Sequence, residues 1–321
     1  MSAGSGESSN TAFRRSTLNP QLSPTLSEFL QQLLNGLSLG AIYALIALGY
    51  TMVYGVLRFI NFAHSDVFMV GAYIGYYMGK LVPEGTVWGG LVVLVAAMTG
   101  CAVLGMTIER LAYRPLRSGA TLNVLITAIG VSLLLEYSGQ LFFGAAPRTF
   151  PAVFPVMNFQ LGTLVISTNQ LLVIVVAVLL MLGLQFIVYR TKIGTAMRAV
   201  SINPKAAQLV GVNNDIVISF TFGLGSALAG AGGILYALNY PSIDPLMGVM
   251  PGLKAFVAAV LGGIGNIPGA ALGGLLLGTV ETFVNGSQWS TYKDAIAFAV
   301  LIVILLFRPA GLLGKFTVEK V

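Results

Sequence analysis

The chain has 321 residues, of which 56% are apolar and only 9% charged, against about a quarter charged in an ordinary soluble domain. Its mean hydropathy of +0.86 is more than one water-surrounded core can hide, and several runs reach the roughly 20 residues that cross a bilayer. A soluble globular domain is excluded. The net charge of +6 is spread over the segments between apolar runs, with no basic patch interleaved with aromatics of the kind that grips nucleic acid.

Residues 1–28 are rich in Ser, Thr, Asn, Gly and Pro and are expected to form a disordered polar tail. Arg14 and Arg15 suggest a twin-arginine signal, but Pro20 and Pro24 stand where its apolar run should begin. A retained tail is therefore expected. Apolar spans follow at 29–54, 66–82, 87–107, 122–143, 170–188, 214–238, 255–281 and 294–307. Backbone groups in hydrocarbon must be satisfied within their own segment, so these spans are predicted to be helices. They are too long and continuous for the alternating strands of an outer-membrane barrel. The expected fold is all-α, a polytopic membrane helix bundle with about eight transmembrane segments.

Basic residues set an orientation. Arg110, Arg114 and Arg117 follow the third span, and Arg190, Lys192, Arg198 and Lys205 follow the fifth, while the segment between 144 and 168 has only Arg148. The positive-inside rule places the first two groups in the cytoplasm and the third outside. Arg308, Lys315 and Lys320 place the C-terminus inside as well. A single first crossing then leaves the N-terminus outside, with Arg14 and Arg15 against the trend.

From the loop at 189–208 to an inside C-terminus the chain must cross an even number of times, yet three apolar segments lie there. The span 255–281 contains "LGGIGNIPGA", in which Pro268 removes a backbone donor and the glycines loosen the helix. A broken or re-entrant element near 255–281 is predicted, with a single kinked helix as the alternative that parity disfavours.

Residues 56–73, "VLRFINFAHSDVFMVGAY", hold the only histidine, His64. One reading is a polar turn at the inner end of the first two spans. Arg58 snorkels to headgroups, Asn61 or Ser65 caps the next helix, and Asp66 favours its positive end. The other reading has Asn61 and His64 lining a polar cavity on a translocation path that would also include Gly263, Asn266 and Pro268. One imidazole with no cysteine partner is no metal set, and adjacent His64, Ser65 and Asp66 cannot converge as a hydrolytic triad. No metal, cofactor or catalytic group is expected. Glu136 and Glu281 are intramembrane carboxylates, either coupling-ion ligands or groups paired with Tyr, Thr or Asn inside the bundle. "GLGSALAGAGG" at 223–233 lacks the strand and the G-x-x-x-x-G-K-[ST] pattern of a phosphate cradle. In an apolar span such glycines let helices approach.

The loop at about 189–213 reads as two short helices, 195–200 and 204–209, with Asn203 as a cap, Pro204 at the first helical position and Gly211 as a stop. It suits either docking to a cytoplasmic partner, exposing Arg198 and Lys205, or a surface connector.

"GTAMRAVSINPKAAQLVGVN" resembles the cytoplasmic loop by which permeases of ATP-binding-cassette importers contact their ATPases. With "LNGLSLGAIYALIALGYTMVYGVLRFINFAHSDVFMVGAY", "IERLAYRPLRS", "LKAFVAAVLGGIGNIPGAALGG" and "RPAGLLGK", the chain resembles the LivH-type permeases of branched-chain amino-acid importers from about residue 28 to the end. The resemblance implies a permease domain at 29–321 in the inner membrane. It also implies separate cytoplasmic ATP-binding cassette subunits, a second related permease subunit or copy, and a periplasmic or lipid-anchored substrate-binding protein. Carried over residue by residue, the coupling loop holds Gly194, Arg198, Ala199, Asn203, Ala206 and Gly211. The alternatives are a permease of the same family for urea, amides or other amino acids, or an ion-coupled secondary transporter using Glu136 and Glu281.

Overall fold

The computed structural model describes residues 24–117, 119–308 and 310–314. The tail expected at 1–28 lies mostly outside these, as do Arg14, Arg15, Lys315 and Lys320. The first helix begins at Pro24, so the last residues assigned to that tail are helical.

Eleven α-helices carry the described chain: α1 (Pro24–Leu57), α2 (His64–Gly79), α3 (Val87–Ile108), α4 (Thr121–Phe143), α5 (Thr168–Arg190), α6 (Lys192–Ile202), α7 (Pro204–Leu209), α8 (Asn214–Asn239), α9 (Val249–Gly262), α10 (Ile267–Asn285) and α11 (Lys293–Phe307). A π-helical turn, Glu109–Tyr113, continues α3. Four short strands, β1 (Arg148–Thr149), β2 (Asn158–Leu161), β3 (Leu164–Ser167) and β4 (Ser242–Ile243), form two small antiparallel pairs. Among the described residues, seven helices are long and apolar enough to cross a membrane. The chain is a multi-pass, all-α membrane bundle.

α1 is the central helix, with 94% of its apolar window buried. Its small residues meet those of α10. A Cβ at Gly278 would stand 2.3 Å from the Gly40 Cα, and one at Gly274 2.4 Å from the Ala44 Cα. The two backbones therefore touch, which is how apolar helices gain dispersion contact where lipid removes the hydrophobic drive. α8 closes on α1, α2 and α3 in the same manner through Gly225, Gly230 and Gly233.

The segment 255–281 splits. α9 ends at Gly262, the chain reverses through Gly263 (φ 105°) and Gly265 (φ 91°), and Asn266 caps α10 by accepting from the Gly269 amide at 3.3 Å. Those positive φ values are the reason glycine stands there. The two helices are antiparallel and in contact, since Gly262 abuts Gly269 and Ala258 abuts Gly273. The stretch thus forms two helices, making four helical segments from α8 to α11, and a single kinked helix is ruled out. α9 has 14 residues, about 21 Å of rise, too short for the roughly 30 Å hydrocarbon core.

One end of the bundle, the basic end, gathers Arg114, Arg117, α6, α7, the α9–α10 turn, Arg308 and residues 310–314. The Leu312 and Leu313 amides donate to the Leu261 and Gly262 carbonyls, so residues 310–314 strap the turn. The opposite end carries the strands, with β2 and β3 joined at Gly162 (φ 65°) in a two-residue turn.

Candidate functional site: a coupling element, a buried polar centre and a charged cavity

The stretch at 58–66 departs from the sequence-based expectation of a turn at the membrane surface. α1 ends at Arg58, in the left-handed region (φ 55°), and the chain folds back into the bundle. α2 starts beside Gly49, whose Cβ would lie 2.2 Å from His64 Nε2. Gly49 is eight residues before the end of α1, about 12 Å along the axis. Residues 59–63 therefore lie back alongside α1, with Phe59, Asn61 and Ala63 buried. Neither Asn61 nor Ser65 caps α2; the cap position is Ala63 and has no side-chain bond. Asn61 Oδ1 instead accepts from the Tyr113 hydroxyl at 2.6 Å, and Ser65 donates to the Phe62 carbonyl at 2.8 Å.

His64 is buried, with its ring edge-on to Tyr50 at 4.7 Å. The Ile46 backbone is the polar group bearing on the ring, but neither ring nitrogen meets hydrogen-bond geometry. Asp66 is buried in the first turn of α2, where a carboxylate complements the helix dipole, and accepts from the Ser132 hydroxyl at 2.5 Å. Glu136 is one turn along α4 from Ser132 and half-buried, with no hydrogen bond or ion pair among the described contacts, so it lacks the Tyr, Thr or Asn partner expected of it. Of the five path candidates, Asn61 and His64 sit together at this depth. Gly263, Asn266 and Pro268 lie at the basic end, with the Asn266 amide donating to the Leu313 carbonyl at 2.7 Å.

The coupling loop folds as expected in its second half and further than expected in its first. Thr191 caps α6 by accepting from the Gly194 amide at 3.1 Å, and Asn203 caps α7 by accepting from the Ala206 amide at 3.0 Å, with Pro204 in the first turn. Gly211 (φ 89°) ends the unit. A Cβ at Gly194 would stand 2.2 Å from the Ile187 carbonyl, so this glycine lets α6 press on the last turn of α5. Ala199 is half-buried, and its carbonyl accepts from the Asn203 amide at 3.1 Å. Arg198 is also half-buried, contrary to the expectation of exposure: its guanidinium donates to the Val188 carbonyl and lies over the Tyr189 ring at 5.7 Å. It lines a cavity of about 170 Å³ together with Gly55 of α1 and Gly265 of the α9–α10 turn. Lys205 is exposed as expected, and so are Ile202, Leu209 and Val210 at 80%, 90% and 79%.

Two ion clusters were not read from the sequence. At the basic end, Glu109 in the π-helical turn is buried, accepts from the Ser219 hydroxyl and pairs with Arg117 at 3.5 Å; Arg117 and Arg114 both pair with Asp215 in the first turn of α8. At the opposite end, buried Lys254 lies 2.5 Å from Glu281 and 2.6 Å from Asp294, and the Tyr43 hydroxyl donates to Glu281 at 2.9 Å. Glu281 is therefore a paired carboxylate, with a lysine as well as a tyrosine. The signal was present as a lysine inside an otherwise apolar run, since buried cations require a partner.

Residues 32–305 match the family described as branched-chain amino acid transport system / permease component. The chain belongs to this family. It is 44% identical over 307 residues to the high-affinity branched-chain amino acid transport system permease protein BraD of Pseudomonas aeruginosa, covering 93% of this chain and 100% of that one. It is 43% identical over 301 residues to the permease protein LivH of Escherichia coli, covering 91% and 98%. A ribose import permease protein, RbsC of Haemophilus influenzae, is similar over a shorter stretch: 30% identity over 125 residues, 37% of this chain and 39% of that one. No solved structure matches. The membership makes this chain a membrane permease, a transport component and not a catalyst.

Proposed function

We propose that this chain is one permease half of an ATP-driven importer of branched-chain aliphatic amino acids in the inner (plasma) membrane. It works beside a second permease subunit, with cytoplasmic ATPase subunits on its basic end and a substrate-binding protein on the other. The permease names of its relatives at 44% and 43% identity support the cargo. The positive-inside rule supports a cytoplasmic basic end, C-terminus included.

One observation carries the coupling. The α6–α7 unit is capped at both starts and clamped to α5, yet it leaves Ile202, Leu209 and Val210 bare at the end of the bundle. Exposed apolar groups on a rigid, polar-rimmed element suit docking to a protein. Through the Arg198 cavity the same unit adjoins α1 and the α9–α10 turn. Movement imposed on α6 by closure of an ATPase pair reaches the central α1–α10 seam directly, and a packed seam of touching backbones moves as a body.

An ion-coupled mechanism through Glu281 is disfavoured because Lys254 already neutralises it. The test is leucine uptake into proteoliposomes by the full assembly, beside Arg198→Glu and Glu136→Gln variants. The expected result is ATP-dependent uptake, lost in Arg198→Glu and kept in Glu136→Gln. Uptake driven by a proton or sodium gradient without ATPases, and lost in Glu136→Gln, would overturn the proposal.

A further inference from the structure

At the end opposite α6 and α7, two cavities adjoin between α1, α8, α10 and the start of α11. The larger, about 490 Å³, is walled by amide and hydroxyl side chains, among them Asn35, Asn239 and Asn285. The smaller, about 190 Å³, is lined by Leu39, Tyr236, Met250 and Pro251, and the ion cluster opens on it. Lys293, Glu281, Tyr240 and Leu39 belong to both linings. Together they form a recess lined mainly by polar and charged side chains, with Leu39, Met250 and Pro251 as its aliphatic part.

The charges are not equivalent. Lys254 is committed to Glu281 and Asp294, and Glu281 to Lys254 and Tyr43. Lys293, next in sequence to Asp294, is half-buried and has no hydrogen bond or ion pair among the described contacts. Asp294 has one oxygen on Lys254 and the second unengaged. A free cation and a free carboxylate oxygen from consecutive residues thus border one cavity with an aliphatic and aromatic floor. A partly desolvated cation favours a carboxylate, and the Asp294 oxygen favours an ammonium. A solute that satisfies both, with a branched aliphatic remainder against Leu39 and Met250, is a zwitterionic α-amino acid.

We infer that this pair of cavities is a subsite for the head group of the transported amino acid, with Lys293 holding the carboxylate and Asp294 the ammonium. Lys254 and Glu281 serve as positioning residues that keep Asp294 in place. The inference rests on the amino-acid cargo proposed above. It predicts that the permease itself, and not the binding protein alone, reads the two charges of its cargo.

The experiment uses the membrane complex in proteoliposomes, with the binding protein left out so that free leucine is the probe. Cys101, the one natural thiol, is 0% exposed, so an Asn285→Cys variant reports labelling by a water-soluble thiol reagent at the larger cavity. Gln32→Cys replaces it if Asn285→Cys lowers ATP-driven uptake. Leucine at four times its half-protecting concentration is expected to slow labelling about fivefold. Leucinamide and 4-methylpentanoate, each lacking one charge, are expected to leave it unchanged. Adding Lys293→Met is expected to raise the half-protecting concentration of leucine about tenfold or more, and Lys293→Arg to restore it. Equal protection by leucinamide, equal protection in Lys293→Met, or no protection in a preparation that does take up leucine overturns the subsite. Absence of ATP-driven leucine uptake by the complete assembly overturns the cargo instead.

Discussion

The two ends of the bundle each carry a charged cluster, three residues around Lys254 and four around Arg117, but they are built to different standards. In the Lys254 cluster the lysine and Glu281 side chains are 6% and 7% exposed. In the Arg114 cluster the pair to Asp215 is 46% and 35% exposed, and only Glu109 is fully enclosed. A buried charge that loses its partner is stranded in low dielectric, while an exposed one returns to water. The contrast teaches that the Lys254 cluster fastens α9, α10 and α11 together, and the Arg114 cluster holds α3 to α8 by contacts that open at small cost. That suits the proposed role, in which the basic end rearranges when ATPases close on it.

The largest test of this contrast is Lys254→Met, which strands Glu281 and is expected to cost roughly 3–5 kcal/mol, read as a large fall in unfolding temperature in detergent. The double variant Lys254→Met/Glu281→Gln should recover part of that loss; no recovery would mean that packing, not charge, sets the cost. Arg117→Met comes next. It leaves buried Glu109 with Ser219 alone, and an under-satisfied buried acceptor costs about 1–3 kcal/mol. The smallest effect is expected from Arg114→Ala, within about 1 kcal/mol. Raising ionic strength from 0.1 to 1 M, which shortens the screening length from about 10 to about 3 Å, should erase the Arg114→Ala difference and leave the Lys254→Met difference intact. A salt-insensitive Arg114→Ala effect would break the comparison.

Much of the fold was legible because the signals are local. Asn203 and Pro204 marked the start of α7 to the residue, since a cap oxygen and a missing amide act within one turn. Gly263, Gly265 and Pro268 marked the break between α9 and α10, because positive φ and a lost donor are properties of single residues. The site was less legible. Arg198 was read as exposed, yet the α5 carbonyl that draws it in lies ten residues back and meets it only because α6 turns under α5 at Gly194. The Tyr partner of Glu281 was among the expectations, but its cation was not, because Lys254 stands 27 residues away on the other arm of a hairpin.

The sequence by itself determined that the chain is a multi-pass helical bundle, where α7 starts and stops, and that 255–281 breaks. These follow from apolar length, capping and glycine chemistry, all written in neighbouring residues. Only the tertiary structure decided that residues 59–63 fold back into the bundle and that His64 meets Gly49 and Tyr50. It alone decided that Lys254, Glu281 and Asp294 converge while Lys293 stays free. Such pairings depend on which helix faces which, and in a bundle of nearly uniform apolar helices that choice is made by where small residues allow backbones to touch.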